Sequence, residues 1–278
     1  MDKKVYMTLL GSDNYLIGTL ALAQSLKNVK SKYPLVVMVT NNVSEKSINV
    51  LKQKKLQYIK IDKIQVSNQA VHENEEGGYS NWSNTFSKLA IFGFTQYEKI
   101  VFLDSDMLIL KNIDNLFEKE HMSAVVAGKS YPGNEDWRDL NSGTMVIVPK
   151  KDEDKRLLQV LNDSTFFGKF GDQDIIQLGY PNWKKKPSLE LGEEYNLFSK
   201  HEPYYVGKNI LNHSIKIIHF VGKDKPWNMD KKQRLRYCAR VVKNNLKYIK
   251  SIRGFYQFNK NFSSYCKICD GISKSMKN

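Results

Sequence analysis

Short apolar runs rich in β-branched residues alternate with stretches of helical period from the start of the chain. Residues 5–10 read as a strand, and residues 15–26 as a helix that turns Leu16, Leu20, Ala23 and Leu26 inward. Residues 35–40 form an unbroken apolar run, the pattern of a strand buried on both faces. Ser44 is placed to cap a helix reaching about Lys54, and residues 57–61 give the next strand. A polar stretch over 62–81 predicts a mobile loop. Residues 85–94 read as helical, and residues 99–103 as an apolar strand that ends at Asp104. Further strands are expected at 124–127, 144–148 and 215–220, with helices at 151–161 and 172–178.

Strand and helix alternating in this way predict an α/β fold with a mostly parallel central sheet covered on both faces. Right-handed crossovers make such a sheet doubly wound, and its ligands sit beyond the carboxyl ends of the strands. The 278 residues carry a net charge of +14. From Asn228 to Asn278 there are 13 Lys or Arg against Asp230 and Asp270, a net +11 that leaves only +3 for the preceding residues. The expected organisation is a catalytic domain over 1–227 followed by a basic helical extension over 228–278. Three cysteines are too few for a disulfide scaffold and fit a reducing compartment. With no transmembrane run and no signal-peptide pattern at the N-terminus, a cytoplasmic protein is expected.

Two segments carry chemistry. In Val101-Phe102-Leu103-Asp104-Ser105-Asp106 an apolar strand runs into two carboxylates at i and i+2, which places both on one face. Carboxylates so close repel unless a cation lies between them, and hard oxygen ligands suit Mn²⁺ or Mg²⁺. A solvated turn after a strand would read the same way. The second segment, His219-Phe220-Val221-Gly222-Lys223-Asp224-Lys225-Pro226-Trp227, leaves another expected strand. His219 can complete a metal shell, Gly222 lets backbone approach a phosphate, and Lys225 can neutralise one. A buried core histidine followed by an ordinary turn is the competing reading.

Together these segments resemble the retaining glycosyltransferases of family eight, in the glycogenin and galactinol synthase branch, which have the GT-A (Rossmann-like) fold. Residues 101–117 resemble that family's metal-binding segment, and His219 to Trp227 matches its H-F-x-G-x-x-K-P-W motif. Leu140-Asn141-Ser142-Gly143 resembles its sugar-contacting segment, Gly171-Asp172-Gln173 its G-D-Q, and Phe86-Ser87-Lys88-Leu89 the helix bearing a donor-binding lysine. The motifs keep the family's order over residues 5–227.

The resemblance implies a hexosyltransferase that uses a UDP-sugar donor, with UDP-glucose expected and, as the alternative, UDP-galactose with transfer to a glycan or lipid-linked acceptor. Asp104, Asp106 and His219 would hold Mn²⁺, or Mg²⁺ in its place, with Ser105 between the carboxylates. Leu9, Gly11, Ser12 and Tyr15 would take the uridine, Tyr15 by stacking. Lys88, Asn141, Ser142, Asp172 and Gln173 would contact the sugar, and Gly222 and Lys225 the diphosphate. Asp172, Gln173 and Lys225 are the expected catalytic residues, with Asp172 positioning the sugar and its use as a nucleophile a minor alternative. Two departures from the family pattern stand out: Lys169 replaces an aspartate, and Leu10-Gly11-Ser12 replaces Thr-Thr-Asn near the uridine.

The acceptor is expected to be a protein or glycan, including the chain itself. Tyr204 and Tyr205, shortly after Tyr195-Asn196-Leu197, are the candidate acceptors for self-transfer, and a homodimer is the matching assembly. Residues 231–250 read as a basic helix with Leu235, Cys238, Val242, Leu246 and Ile249 on one side, suited to peripheral contact with an anionic membrane. A helix packed on the domain with a solvated basic face reads equally well. Cys266 and Cys269 supply only half of a zinc site. Outside this family, a haloacid-dehalogenase-like phosphatase also places D-x-D after a strand, but near its N-terminus and with no use for residues 219–227. Nucleic-acid binding through the tail leaves the near-neutral first 227 residues unexplained, so no nucleic-acid partner is expected.

Overall fold

The computed structural model describes residues 3–62, 80–163, 171–212 and 214–276, with side chains for all of these except 80–85. Lys169 and all but the ends of the expected loop at 62–81 lie outside the described residues.

The first half-chain folds as its pattern predicts. Strand β1 (Lys4–Leu10) is followed by α1 (Leu16–Asn28), β2 (Leu35–Thr40), α2 (Glu45–Gln53), β3 (Gln57–Ile61) and β4 (Lys99–Leu103). Ser44 caps α2 by accepting from the Ser47 amide. Residues 80–93 are helical but form a 3₁₀ segment, Ser80–Gly93, rather than an α-helix. Then come β5 (Met107–Ile109), β6 (Ser123–Val125), β7 (Asn141–Ile147), α3 (Glu153–Asp163) and α4 (Asp172–Gly179). The remainder comprises β8 (Glu190–Leu191), β9 (Leu197–Phe198), α5 (Glu202–Gly207), β10 (Ile217–His219), α6 (Lys231–Leu246) and α7 (Ile252–Ser275).

Among the described residues the main sheet has the order β3-β2-β1-β4-β7-β6-β8, and a small one the order β5-β10-β9. β3, β2, β1 and β4 are parallel, whereas β7 runs antiparallel to both β4 and β6. Alternation along the strands fills both faces. On one face Val5, Met7, Ile100, Phe102, Met145 and Ile147 pack with Phe86, Leu89, Leu157 and Ile175. On the other, Tyr6, Val101, Leu103 and Val146 pack with Leu22 and Leu26 of α1. Phe102 is fully buried, and truncating such a residue to alanine costs about 3–5 kcal/mol.

Helix α6 is rotated relative to the sequence expectation. Leu235 is 71% exposed and Leu246 46% exposed, so these two of the five residues on the anticipated apolar side of α6 point to solvent, while Cys238, Val242 and Ile249 are half-buried. The covered side instead presents Tyr237, Val241 and Asn245. Tyr237 stacks on Phe262 of α7 with ring centroids 5.0 Å apart, and the Asn245 amide donates to the Lys200 carbonyl at 3.0 Å. Arg234 forks onto Asp270 at 2.6 and 2.7 Å. Aromatic stacking and two polar ties thus set the rotation of α6 against the pull of two leucines. Phe258, Phe262 and Tyr265 of α7 join Phe220 and Ile218 in one buried cluster. Gly254 makes that docking fit, because a Cβ there would lie 2.3 Å from the Pro203 carbonyl oxygen. No helix among the described residues is long and apolar enough to cross a membrane.

Candidate active site

Strand pairing assembles the site from distant sequence. β1 and β4 are parallel neighbours, so Leu9, Gly11 and Ser12 lie at the same carboxyl edge as Asp104 and Asp106. The Asp104 amide donates to the Gly143 carbonyl at 2.9 Å, which fixes the carboxylate pair to the start of β7. β10 pairs antiparallel with β5, His219 opposite Met107, and the Phe220 amide donates to the Asp106 carbonyl at 3.0 Å. Backbone ladders therefore bring His219 beside two aspartates more than a hundred residues away.

His219 Nε2 lies 3.1 Å from Asp106 Oδ1 and 3.7 Å from Asp104 Oδ2. One ligand atom from each of Asp104, Asp106 and His219 falls within 4.8 Å of the others, a spacing one cation can bridge. Two hard oxygens and an imidazole fit Mn²⁺ or Mg²⁺, and a three-residue set leaves positions for ligands from a substrate. Burial alone would raise both carboxyl pKa values. At Asp106 the charges of His219 and Lys225 outweigh burial and hold the carboxyl well below its ordinary range. At Asp104 burial wins over the opposing pull of Lys88 and His219, and the carboxyl sits above its ordinary value. A buried carboxyl reluctant to ionise is one whose charged form a cation would stabilise.

Lys88, from the 3₁₀ segment, ties this pair to the expected sugar residues. Its ammonium is 3.1 Å from Asp104 Oδ1 and 2.7 Å from Asp172 Oδ2, and it donates to Ser142 Oγ at 3.1 Å. Burial pushes the ammonium toward neutrality, but Asp104 and Asp172 overcome it and raise its pKa above the ordinary lysine value. Ser105, Ser142 and Asp172 are themselves buried. Asp172 stands at the start of α4, where Asp174 accepts from the Gly171 amide at 2.7 Å. Asn141 and Gln173 meet directly, Asn141 Nδ2 donating to Gln173 Oε1 at 3.0 Å.

The segment after β10 closes the other side. Lys225 donates to Asp106 Oδ2 and to the Phe220 carbonyl. The same ammonium lies 5.7 Å from the centre of the Tyr15 ring, a cation–π arrangement. Trp227 meets Tyr15 edge-on at 5.8 Å and donates its indole N–H to the Asn14 carbonyl at 2.8 Å, which ties this loop to the turn between β1 and α1. Gly222 has φ of +100° with open space where a side chain would stand, as a backbone–phosphate approach needs. Asp224 pairs with Arg240, fastening the loop to α6.

Lys88, Asp104, Asp106, Ser142, Asp172, His219 and Lys225 thus form one connected group, with Asn141 and Gln173 joined to it and Tyr15 under Lys225. Leu9, Gly11 and Ser12 share the edge, and the Gly11 carbonyl accepts from Thr40 at 3.0 Å. Gly143 and Asn196 hold the cluster without having been assigned a role from sequence. A Cβ on Gly143 would lie 2.8 Å from His219 Cε1, so the histidine reaches the aspartates only over a glycine. Asn196 is wholly buried and bonds His219. The signal for both lay in segments already singled out, 141–143 and 195–197.

The two tyrosines proposed as acceptors differ. Tyr205 is 1% exposed, with its hydroxyl donating to Glu193 inside the fold, so its oxygen is closed off from a sugar donor in this conformation. Tyr204 is half-buried, with its ring against Tyr131 and Tyr248 at 5.5 and 6.1 Å.

Residues 7–231 match the family model described as glycosyl transferase family 8. Human glycogenin-1 is 33% identical over 238 residues, covering 82% of this chain and 63% of its own length. The chain therefore spans under two thirds of that relative. Among solved structures, the glycosyltransferase GlyE of Streptococcus pneumoniae superposes with a TM-score of 0.56 at 18% identity, over 99% of this chain and 65% of that one. The galactosyltransferase LgtC, solved with donor and acceptor sugar analogues, gives 0.55 at 13% identity, over 91% of this chain and 100% of that one.

Proposed function

The chain belongs to glycosyl transferase family 8 with a GT-A fold, and from that premise we propose that it transfers a hexose from a UDP-sugar with retention of configuration. The observation that carries the proposal is the Asp104, Asp106 and His219 cluster with Lys88 and Lys225 on either side of it.

Asp104, Asp106 and His219 would hold a divalent cation, Mn²⁺ in the first instance, which when bound neutralises charge on the departing diphosphate. Lys225 carries a second positive charge to the same place, held by Asp106 and the Phe220 carbonyl until a diphosphate competes for it. Gly222 lets backbone amides approach the phosphates. Tyr15 offers its ring to uracil, beside the backbone of Leu9, Gly11 and Ser12. Lys88 orients Asp172 and Ser142, and these with Asn141 and Gln173 set the sugar hydroxyls. Because Asp172 is paired with Lys88 at 2.7 Å, it acts as a positioning carboxylate, not as a nucleophile attacking the anomeric carbon.

The donor is UDP-glucose, with UDP-galactose as its competitor. The acceptor is a protein or glycan, and for self-transfer within a homodimer Tyr204 is favoured over the buried Tyr205. Residues 1–227 act as the catalytic unit in the cytoplasm. Exposed Leu235, Leu246, Ile252 and Tyr256 among the cations of the extension at 228–278 suit peripheral contact with an anionic bilayer.

Purified protein incubated with Mn²⁺ and each UDP-sugar, followed by intact mass and UDP release, tests the reading. A mass gain of one hexose per event identifies self-transfer, and UDP release alone identifies turnover to water or an added acceptor. No release with any UDP-hexose would refute it.

A further inference from the structure

Behind His219 runs a line of hydrogen bonds whose direction is set by one backbone amide. The Gly143 N–H donates to Asn141 Oδ1 at 3.0 Å, and a backbone amide can only donate. Asn141 Oδ1 is therefore an acceptor, so the Asn196 group 2.7 Å away must be its amide nitrogen. That turns Asn196 Oδ1 toward His219 Nδ1, at 2.8 Å. The imidazole must then carry a proton on Nδ1, leaving Nε2 to face Asp104 and Asp106. Turning Asn196 over would oppose two carbonyl oxygens, and turning Asn141 as well would oppose its NH₂ to the Gly143 amide. No other arrangement of the two side chains satisfies every bond.

We propose that Asn196 is a positioning residue for the metal ligand: it keeps a proton on His219 Nδ1 and holds the ring with Nε2 as the nitrogen aimed at the cation. Asn196 is 0% exposed and His219 4% exposed, so water cannot take over either bond. Its backbone is held as well. Asn196 lies between Tyr195, whose carbonyl accepts from Thr144 Oγ1 at 2.9 Å, and β9, which pairs with β10 at His219. Asn141 also donates to Gln173, so the same bond order that aims the histidine turns the Gln173 carbonyl toward Asn141. The orientations of His219 and Gln173 are in this way set by one donor.

The role rests on the metal reading of the site, and Mn²⁺ binding without any sugar donor separates the two. The full chain is titrated with Mn²⁺ while the electron paramagnetic resonance signal of the free ion is followed. In parallel the melting temperature of each metal-free protein is recorded. Asn196→Leu, which removes the acceptor at similar volume, is expected to weaken Mn²⁺ about 10- to 100-fold, the usual cost of losing a partner behind a ligating histidine. Asn196→Asp keeps an oxygen toward Nδ1–H but loses the donor toward Asn141. It should melt lower than wild type yet bind Mn²⁺ better than the leucine variant. Equal affinity in wild type and Asn196→Leu, or equal loss in both variants, overturns the role. A lower melting temperature in Asn196→Leu with unchanged affinity also overturns it, leaving Asn196 a purely structural residue. Absence of Mn²⁺ binding by wild type overturns the metal site and this role with it.

Discussion

Gly143→Ala is the sharpest single-atom test of how β7 and β10 build the site. The added Cβ would lie 2.8 Å from His219 Cε1, 2.8 Å from Asn141 Oδ1 and 2.9 Å from Met107 Cε. Carbon atoms in contact settle about 3.5–4.0 Å apart, so the histidine must retreat by about 0.7 Å or β7 must move by as much. Metal–ligand distances tolerate only about 0.2 Å, so a displaced His219 is a poor ligand. Overpacking of this kind costs about 1–3 kcal/mol, a fall in Tm of roughly 2–12 °C at about 2–4 °C per kcal/mol. Mn²⁺ affinity should fall at least about tenfold, by analogy with loss of a partner that orients a ligating histidine. Gly271→Ala is the control, because nothing lies within 4 Å of its added Cβ and it sits in α7. Its Tm should be unchanged or slightly higher. If Gly143→Ala matches wild type in both Tm and Mn²⁺ titration, the close approach of His219 over Gly143 does not organise the site.

Other consequences follow from named groups. Lys88→Met leaves Asp104 and Asp172 without their shared cation; it should destabilise the protein by about 3–5 kcal/mol and abolish UDP release, and a Tm and turnover equal to wild type would contradict this. Glu202 is buried against Asn261, and burial raises its pKa from 4.5 to about 8. The folded chain therefore keeps a proton that the unfolded chain releases near 4.5, so stability is lost as pH rises from about 5 to 8 and the loss stops above that. Glu202→Gln should flatten this slope in Tm against pH, and identical slopes would refute it. Among the tyrosines, Tyr204→Phe should remove any hexose mass gain, whereas Tyr205→Phe should keep it and lose about 1–2 kcal/mol of stability as Glu193 loses a donor; the reverse pattern in intact mass would overturn the choice of Tyr204. Leu235→Ser with Leu246→Ser should reduce co-sedimentation with anionic vesicles without lowering UDP release, and unchanged sedimentation would show that the exposed stripe does not touch lipid.

Much of the fold was legible because the strands signal themselves twice. β1, β2, β3 and β4 combine apolar runs with bounding turns, and their boundaries fall within a residue of expectation. The grouping of the candidate residues was legible through motif spacing, which survives where local pattern is ambiguous. What escaped needed three dimensions. The antiparallel insertion of β7 cannot be read from its own residues, which look like any buried strand. The orientation of α6 was misjudged because Leu235 and Leu246 obey helical spacing, yet Tyr237, Arg234 and Asn245 find better partners on α7, Asp270 and Lys200. Asn196 could not be assigned because a buried asparagine looks ordinary until its neighbours fix which end donates. Gly143 passed as a motif letter, while its reason is the His219 ring standing where a Cβ would be.

The central claim is that Asp104, Asp106 and His219 hold a cation on which donor binding depends. Calorimetric titration of UDP into the 278-residue chain, with and without Mn²⁺, compared with Asp104→Ala combined with Asp106→Ala, tests this most directly. The account predicts UDP binding that requires Mn²⁺ in wild type and is lost in the double variant. Tight UDP binding without metal, or unchanged metal-dependent binding in the double variant, would contradict it.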